Sequence, residues 1–275
     1  MTQRLNDLYS DKPVMMMVYG EAGTGKTTWL KGAGDRQLIL DLGKGLRSIL
    51  GTINPLVINT EFSFLDLKDT KGFDRVRDQL FKTMEEEIDN YDTVSIDELT
   101  TLGMLAKIKA IQVNQDLGKS SSLVNSRKEK IIVMELSDWG AAIDAVNLFL
   151  AELSEVCYQT GKNLLVLAHQ RDVFKKAAKQ GETPDLEEIR VGIYGRSFPD
   201  TIPNHFDYCW HFSIDGKGRN RRYKIQTEGD EIIMAKTRGA NYEAKLDRTE
   251  GGEKVVSFAD VISYNKELSN VHTHA

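Results

Sequence analysis

At 275 residues the chain can bury a sizeable core, as one large α/β domain or two small ones. Its formal net charge of -5 excludes a protein-wide basic field, so contact with a polyanion has to come from local patches. Cys157 and Cys209 stand far apart, with no C-x-x-C and no His pair at ligand spacing, which argues against a disulfide framework or a zinc site and for buried thiols in a reducing compartment. No stretch is apolar over the thickness of a bilayer and the first residues lack a signal core, so the expectation is a soluble cytoplasmic protein with no membrane contact.

The apolar run at residues 14–19 reads as a buried strand. It feeds Gly20-Glu21-Ala22-Gly23-Thr24-Gly25-Lys26-Thr27-Thr28, a match to the phosphate-binding G-x-x-x-x-G-K-T loop with a helix expected behind it. Such a loop wraps a triphosphate with backbone N–H groups, so Gly20, Gly23 and Gly25 are expected to allow close approach and unusual dihedrals. Lys26 is placed to reach the β- and γ-phosphates, and Thr27 to ligate Mg²⁺. ATP and Mg²⁺ are therefore the expected ligands. No N-K-x-D guanine motif appears, since Asn265-Lys266-Glu267 is followed by Leu268 where the motif needs an aspartate.

Residues 37–41 and 55–59 read as two further strands, the first ending at Asp41. Residues 71–90 carry Phe73, Val76, Leu80, Phe81, Met84 and Ile88 at spacings of three and four, one helical stripe. Residues 91–97 form a strand ending Ile96-Asp97-Glu98, which fits a Walker B site with Asp97 toward Mg²⁺ and Glu98 toward the attacking water. Glu61, just beyond the strand ending near Asn59, is a rival for the water-orienting role. Residues 136–158 predict a long helix and residues 163–169 a continuous apolar strand, so strands alternate with helices and a mostly parallel, doubly covered sheet is expected.

His169 reads as a hydrogen-bonded core histidine, while Gln170 is the candidate to sense a γ-phosphate. Residues 112–135 and 171–204 read as long irregular loops, rich in Lys and Arg but interleaved with acids. Their cations, with Lys217, Arg219, Arg221 and Arg222, are candidates to line a phosphate-backbone path, and Phe174, Tyr194 and Phe198 to stack on bases. Residues 206–214, 223–227 and 232–235 predict antiparallel strands closing one sheet edge, the last ending in Lys236-Thr237-Arg238. Taken alone those two cations are a solvated rim; as a pair they suit an arginine-finger role on a neighbour's triphosphate.

The order of these parts resembles a RecA-type core ATPase, and more narrowly the small phage P-loop ATPases of the single-strand annealing group. The resemblance runs from Val14 to about Tyr242. It takes in Gly20 to Thr27, Asp41, Glu61, Asp97, the loop at 112–135, Gln170, the loop at 171–204, and Lys236-x-Arg238. It implies one RecA-like domain spanning 1–275, with a core at about 13–242 and a β-rich C-terminal extension at about 206–265. It also implies ATP hydrolysis, assembly on single-stranded DNA, and two loops facing the DNA. Gln170 would couple the γ-phosphate to the second loop, and Lys236 with Arg238 would complete the ATP site of the next subunit in a filament or ring. A single-strand binding protein is a further partner the resemblance suggests. The acid directly after Asp97 is more typical of AAA+ ATPases. A helicase-like or AAA+ remodelling ring, and a nucleotide-gated binding switch with little turnover, are the rival functions.

Overall fold

A computed structural model describes residues 12–59, 71–118, 123–126, 129–132, 136–175, 184–193, 201–238, 242–243, 245–247 and 256–271. Strand β1 (Met15–Gly20) is followed by a one-turn helix α1 (Lys26–Trp29) and a 3₁₀ turn, then by β2 (Gln37–Asp41) and β3 (Leu56–Asn59). Helix α2 (Gly72–Glu86) leads to β4 (Thr93–Asp97) and α3 (Leu99–Asp116). A small hairpin of β5 (Leu123–Ser126) and β6 (Glu129–Ile132) precedes α4 (Leu136–Gln159). Then come β7 (Asn163–Phe174), β8 (Leu186–Val191), β9 (Tyr208–Asp215), β10 (Arg222–Gln226), β11 (Lys236–Thr237), β12 (Lys245–Asp247) and α5 (Phe258–Val271).

Among the described residues the main sheet has the strand order β12-β10-β9-β1-β7-β4-β2-β3. From β9 to β3 every pairing is parallel, and β10 and β12 extend it antiparallel. This is the α/β fold expected of a RecA-like P-loop core: a mostly parallel sheet, helices on both faces, and an antiparallel edge. Strand β7 separates β1 from β4, so the phosphate loop and Asp97 rise at the same sheet edge with the end of β7 between them.

The two faces follow the period-two alternation of each strand. Met15, Met17 and Tyr19 point into one core with Leu80 and Met84 of α2, Leu102 and Ala106 of α3, and Phe149 and Leu153 of α4. Met16 and Val18 point into the other, with Trp29, Trp210, Phe212 and Phe258. Each fully buried large apolar side chain contributes about 1.5–3 kcal/mol. The stripe on α2 behaves as its spacing requires, with Phe73, Val76, Leu80 and Met84 buried and Phe81 and Ile88 packed at the margin.

Several expectations change. The helix behind the phosphate loop is one α-helical turn followed by a 3₁₀ turn, ending at Gly34 with φ 71°. Residues 112–116 are the last part of α3, whose mixed sequence conceals a helix with Leu102, Ala106 and Ala110 buried against its neighbours. Residues 171–174 and 186–191 are not irregular: they pair as the β7–β8 hairpin. Strand β9 is parallel to β1, so the antiparallel edge starts only at β10. Residues 232–235 are not a strand, apart from an isolated bridge at Ile233, and β11 begins at Lys236. A helix, α5, sits in the stretch expected to be β-rich, with Gly32 so close to its start that a Cβ there would lie 2.8 Å from the Phe258 nitrogen. No described helix is long and apolar enough to cross a membrane.

Candidate active site

The loop from Gly20 to Thr27 leaves the end of β1 and turns at Gly23 and Gly25, with φ of 83° and 84°, in the left-handed region that glycine adopts freely. Gly20 is glycine for another reason. A Cβ there would lie 2.2 Å from the Phe212 carbonyl oxygen of the adjoining β9, so packing alone excludes a side chain. Lys26 is buried, and its ammonium donates to the carbonyls of Gly20 and Glu21 at 2.9 and 2.7 Å. Burial pulls its pKa down, against the opposing pull of Glu98, Asp97 and Glu21. Glu21 and Ala22 are exposed on the loop and Thr24 is buried, its hydroxyl donating to the Glu21 carbonyl at 2.8 Å. Thr28 is exposed on α1.

Thr27 and Asp97 meet as expected, the hydroxyl donating to Asp97 Oδ2 at 3.2 Å. Asp97 is 5 % exposed. Burial pushes its carboxyl up to about 6, with Asp41 and Glu98 adding to the shift and Thr27 and Lys26 opposing it. Asp41 closes β2 directly beside Asp97 in register, and burial raises its pKa too, against bonds from the Lys44 and Gly45 backbone. A Cβ on Gly45 would sit 3.4 Å from Asp97 Oδ2 and 3.6 Å from Thr27 Oγ1. This pocket, with a hydroxyl, a buried carboxylate and a glycine that keeps space open, suits a hard divalent ion. Mg²⁺ takes few protein oxygens and completes its shell with water and phosphate. Among the described residues no group of three or more His, Cys, Asp or Glu is arranged to hold a metal, so Thr27 and Asp97 would hold it with the triphosphate.

Glu98 sits beside this pocket, its side chain 13 % exposed, with Oε2 2.5 Å from His169 Nε2. His169 was expected in the core. It lies instead at the site, because β7 is the strand between β1 and β4 and places His169 level with Gly20. Gln170 follows. Its amide donates to Asp172 Oδ1 at 2.8 Å and reaches Glu21 Oε1 of the phosphate loop at 3.4 Å. Its own oxygen faces His211 Nε2 at 2.9 Å. Since that oxygen only accepts, His211 donates from Nε2, and burial pulls its pKa down to about 4. His211 is a site neighbour the sequence reading passed over; a polar residue in the apolar run of β9 was the available signal. Glu61 lies outside the described residues.

Lys236 and Arg238 lie elsewhere. Lys236 pairs with Cys209, which is level with Met17, and its ammonium donates to the Pro203 and Phe206 carbonyls, both at 2.9 Å. Arg238 contacts Asp207 at 3.2 Å, and Asp207 in turn donates to the Met15 carbonyl. Both cations are several residues back from Gly20, roughly 10–16 Å at a strand's rise per residue, so neither serves this chain's own phosphate loop.

A family model described as an AAA domain matches residues 12–239, the stretch holding every one of these site residues. The chain belongs to the AAA domain family. This AAA domain is a P-loop ATPase domain, and its phosphate loop, Asp97 and Glu98 stand together at one sheet edge. A search of curated proteins finds no match. Among solved structures, a KaiC-like protein from the hyperthermophilic archaeon Pyrococcus horikoshii is similar at 13 % identity and a TM-score of 0.45, over 88 % of this chain and 87 % of that one.

Proposed function

We propose that this AAA domain binds ATP with Mg²⁺, hydrolyses it, and couples hydrolysis to assembly on single-stranded DNA, promoting annealing or recombination in a phage or host cytoplasm. Water attacks the γ-phosphorus, the bond to the β–γ bridging oxygen breaks, and the water's proton ends on the products. Glu98 orients that water and Lys26 neutralises charge on the phosphates, while Thr27 and Asp97 would hold the Mg²⁺, which when bound would supply further positive charge there.

One observation carries the coupling: β7 bears Gln170 against Glu21 of the phosphate loop, then continues unbroken into the β7–β8 hairpin. A change at the triphosphate is thereby felt by an arm that projects past the sheet. Phe174 is exposed near its tip, a face on which a base can stack. Lys217, Arg221 and Arg222 are exposed on and beside the β9–β10 turn at the same edge, within reach of a phosphate backbone. The arm itself is mixed in charge, carrying Arg171, Lys175 and Arg190 together with Asp172, Asp185, Glu187 and Glu188.

Lys236 and Arg238 suit a neighbour's site in a filament or ring, as they are remote from their own. Steady-state ATPase assays with and without single-stranded DNA test the proposal. Hydrolysis should need Mg²⁺, rise with DNA, and vanish in Lys26→Ala. A rate and an assembly state both indifferent to DNA would refute the coupling. The AAA domain assignment favours a translocating or remodelling ring as the second reading, and ATP-driven strand separation by a closed ring would select it.

A further inference from the structure

We propose that Lys44 binds the terminal phosphate of the nucleotide from within its own chain, and so lets the site tell a triphosphate from a diphosphate. The inference rests on the reading of this site as an ATP site. The turn after β2 reads Gly43-Lys44-Gly45 and stands over the metal pocket. A Cβ on Gly43 would lie 3.4 Å from Glu98 Cγ, and one on Gly45 would lie 3.4 Å from Asp97 Oδ2 and 3.6 Å from Thr27 Oγ1. Lys44 is therefore bracketed by the residue that orients water and by the pair that would hold Mg²⁺. The γ-phosphate has to sit between those two places, since the metal of a P-loop ATPase bridges β- and γ-oxygens and the attacking water stands in line with the γ-phosphorus. Neighbouring Cα atoms are about 3.8 Å apart, so a lysine's flexible four-carbon stem spans what remains.

The backbone points the same way. Lys44 has φ 53°, and among the described residues it is the one non-glycine with a positive φ. Glycine adopts that region freely and lysine at a cost, yet the glycines stand on either side of it, Gly45 at φ -94°. Such conformations persist where the surroundings impose them and a function uses them. Here the surroundings are specific. The Leu42 and Gly43 N–H groups both donate to the Asp97 carbonyl, at 2.5 and 2.8 Å, and the Lys44 and Gly45 N–H groups donate to the Asp41 carboxylate. The turn is thus pinned to the ends of β2 and β4, and the Lys44 side chain is left exposed. Among the described residues its ammonium makes no hydrogen bond or salt bridge, and it acts on Asp41 through space, opposing the rise that burial imposes on that carboxyl. Lys26, by contrast, is buried and donates to two carbonyls of its own loop. Asp41, Asp97 and Glu98 gather negative charge where a triphosphate adds more, so a second cation beside Lys26 offsets repulsion that Lys26 alone would have to meet.

The test uses the full chain and compares the parent with Lys44→Gly, Lys44→Gln, Lys44→Arg and Arg47→Gln. ATP and ADP each displace a fluorescent nucleotide, with Mg²⁺ and with EDTA, and thermal unfolding is followed on every variant. Lys44→Gly and Lys44→Gln should weaken ATP binding about tenfold or more, the worth of one hydrogen bond to a charged group, and leave ADP within about twofold of the parent. The loss should persist in EDTA, because the lysine touches phosphate and not metal. Lys44→Arg should keep most of the ATP affinity. Lys44→Gly should melt at the parental temperature or above, since glycine suits φ 53°, and this separates loss of the charge from loss of the fold. Arg47→Gln, at an exposed cation three residues on, should change neither affinity by more than about twofold. An unchanged ATP-to-ADP ratio in Lys44→Gly, an equal loss of both nucleotides, or the same loss in Arg47→Gln would overturn the proposal. A parent that binds no nucleotide overturns the ATP-site reading and this inference with it. A parent that binds ATP and turns none over refutes hydrolysis alone, and the affinity ratios still decide. If the parent binds and hydrolyses ATP while Lys44→Gly keeps the parental ratio, the inference alone falls.

Discussion

His211 makes the stability of this domain depend on pH in a way its burial sets. It is 2 % exposed, and burial in the apolar run of β9 lowers its pKa from 6.5 to about 4. The unfolded chain therefore binds more protons than the folded one between these values. The stabilising contribution is whole above 6.5 and is lost progressively as pH falls toward about 4. A full shift of this size corresponds to about 3 kcal/mol, and at pH 5 roughly 2 kcal/mol is lost, at about 1.4 kcal/mol per unit. With 275 residues and an unfolding entropy of about 2.1 cal/mol/K per residue, that lowers the melting temperature by about 3–4 °C.

Thermal unfolding by circular dichroism at pH 7.5 and pH 5, on the parent and on His211→Gln, isolates the term. Glutamine can still donate to the Gln170 oxygen and does not titrate. Other carboxylates and histidines contribute equally to both proteins, so the difference between the two pH shifts belongs to His211. The parent should fall about 3–4 °C further than the variant. Equal falls in both, or a larger one in the variant, would show that His211 is not held neutral by burial and would refute the reasoning.

Two further outcomes follow from the site. Gly20→Ala forces a Cβ to within 2.2 Å of the Phe212 carbonyl, a backbone atom that cannot swing aside, so it should cost about 3 kcal/mol or more in urea unfolding even without nucleotide. Asp97→Asn removes the buried carboxylate, so the rise in melting temperature that Mg²⁺ with ATP gives the parent should shrink to that of ATP alone.

The phosphate loop was legible because it is local: eight consecutive residues specify its turns, its lysine and its hydroxyl. Strands β2, β4 and β7 were legible because each is a continuous apolar run between polar residues, and α2 because its stripe repeats at helical spacing. Helix α3 was not, since buried alanines and a glycine on its faces blur the stripe. The β7–β8 hairpin was not, since its strands carry charged residues among the apolar ones and show no continuous apolar run.

The sequence by itself determined that a triphosphate-binding loop is followed by strands ending in acids and polar residues. It could say neither which of those ends stand side by side nor what they touch. Strand order decided that. By inserting β7 between β1 and β4, the sheet brings His169 to Glu98, 71 positions earlier in the chain, and by placing β9 on the other side of β1 it brings His211 to Gln170. The same order set Lys236 and Arg238 well back from the phosphate loop, although their spelling alone suited either end. Parallel pairing joins residues whose separation along the chain is set by intervening helices and loops. No local pattern records it, and only the folded sheet shows which polar side chain at one strand's end meets which at the next.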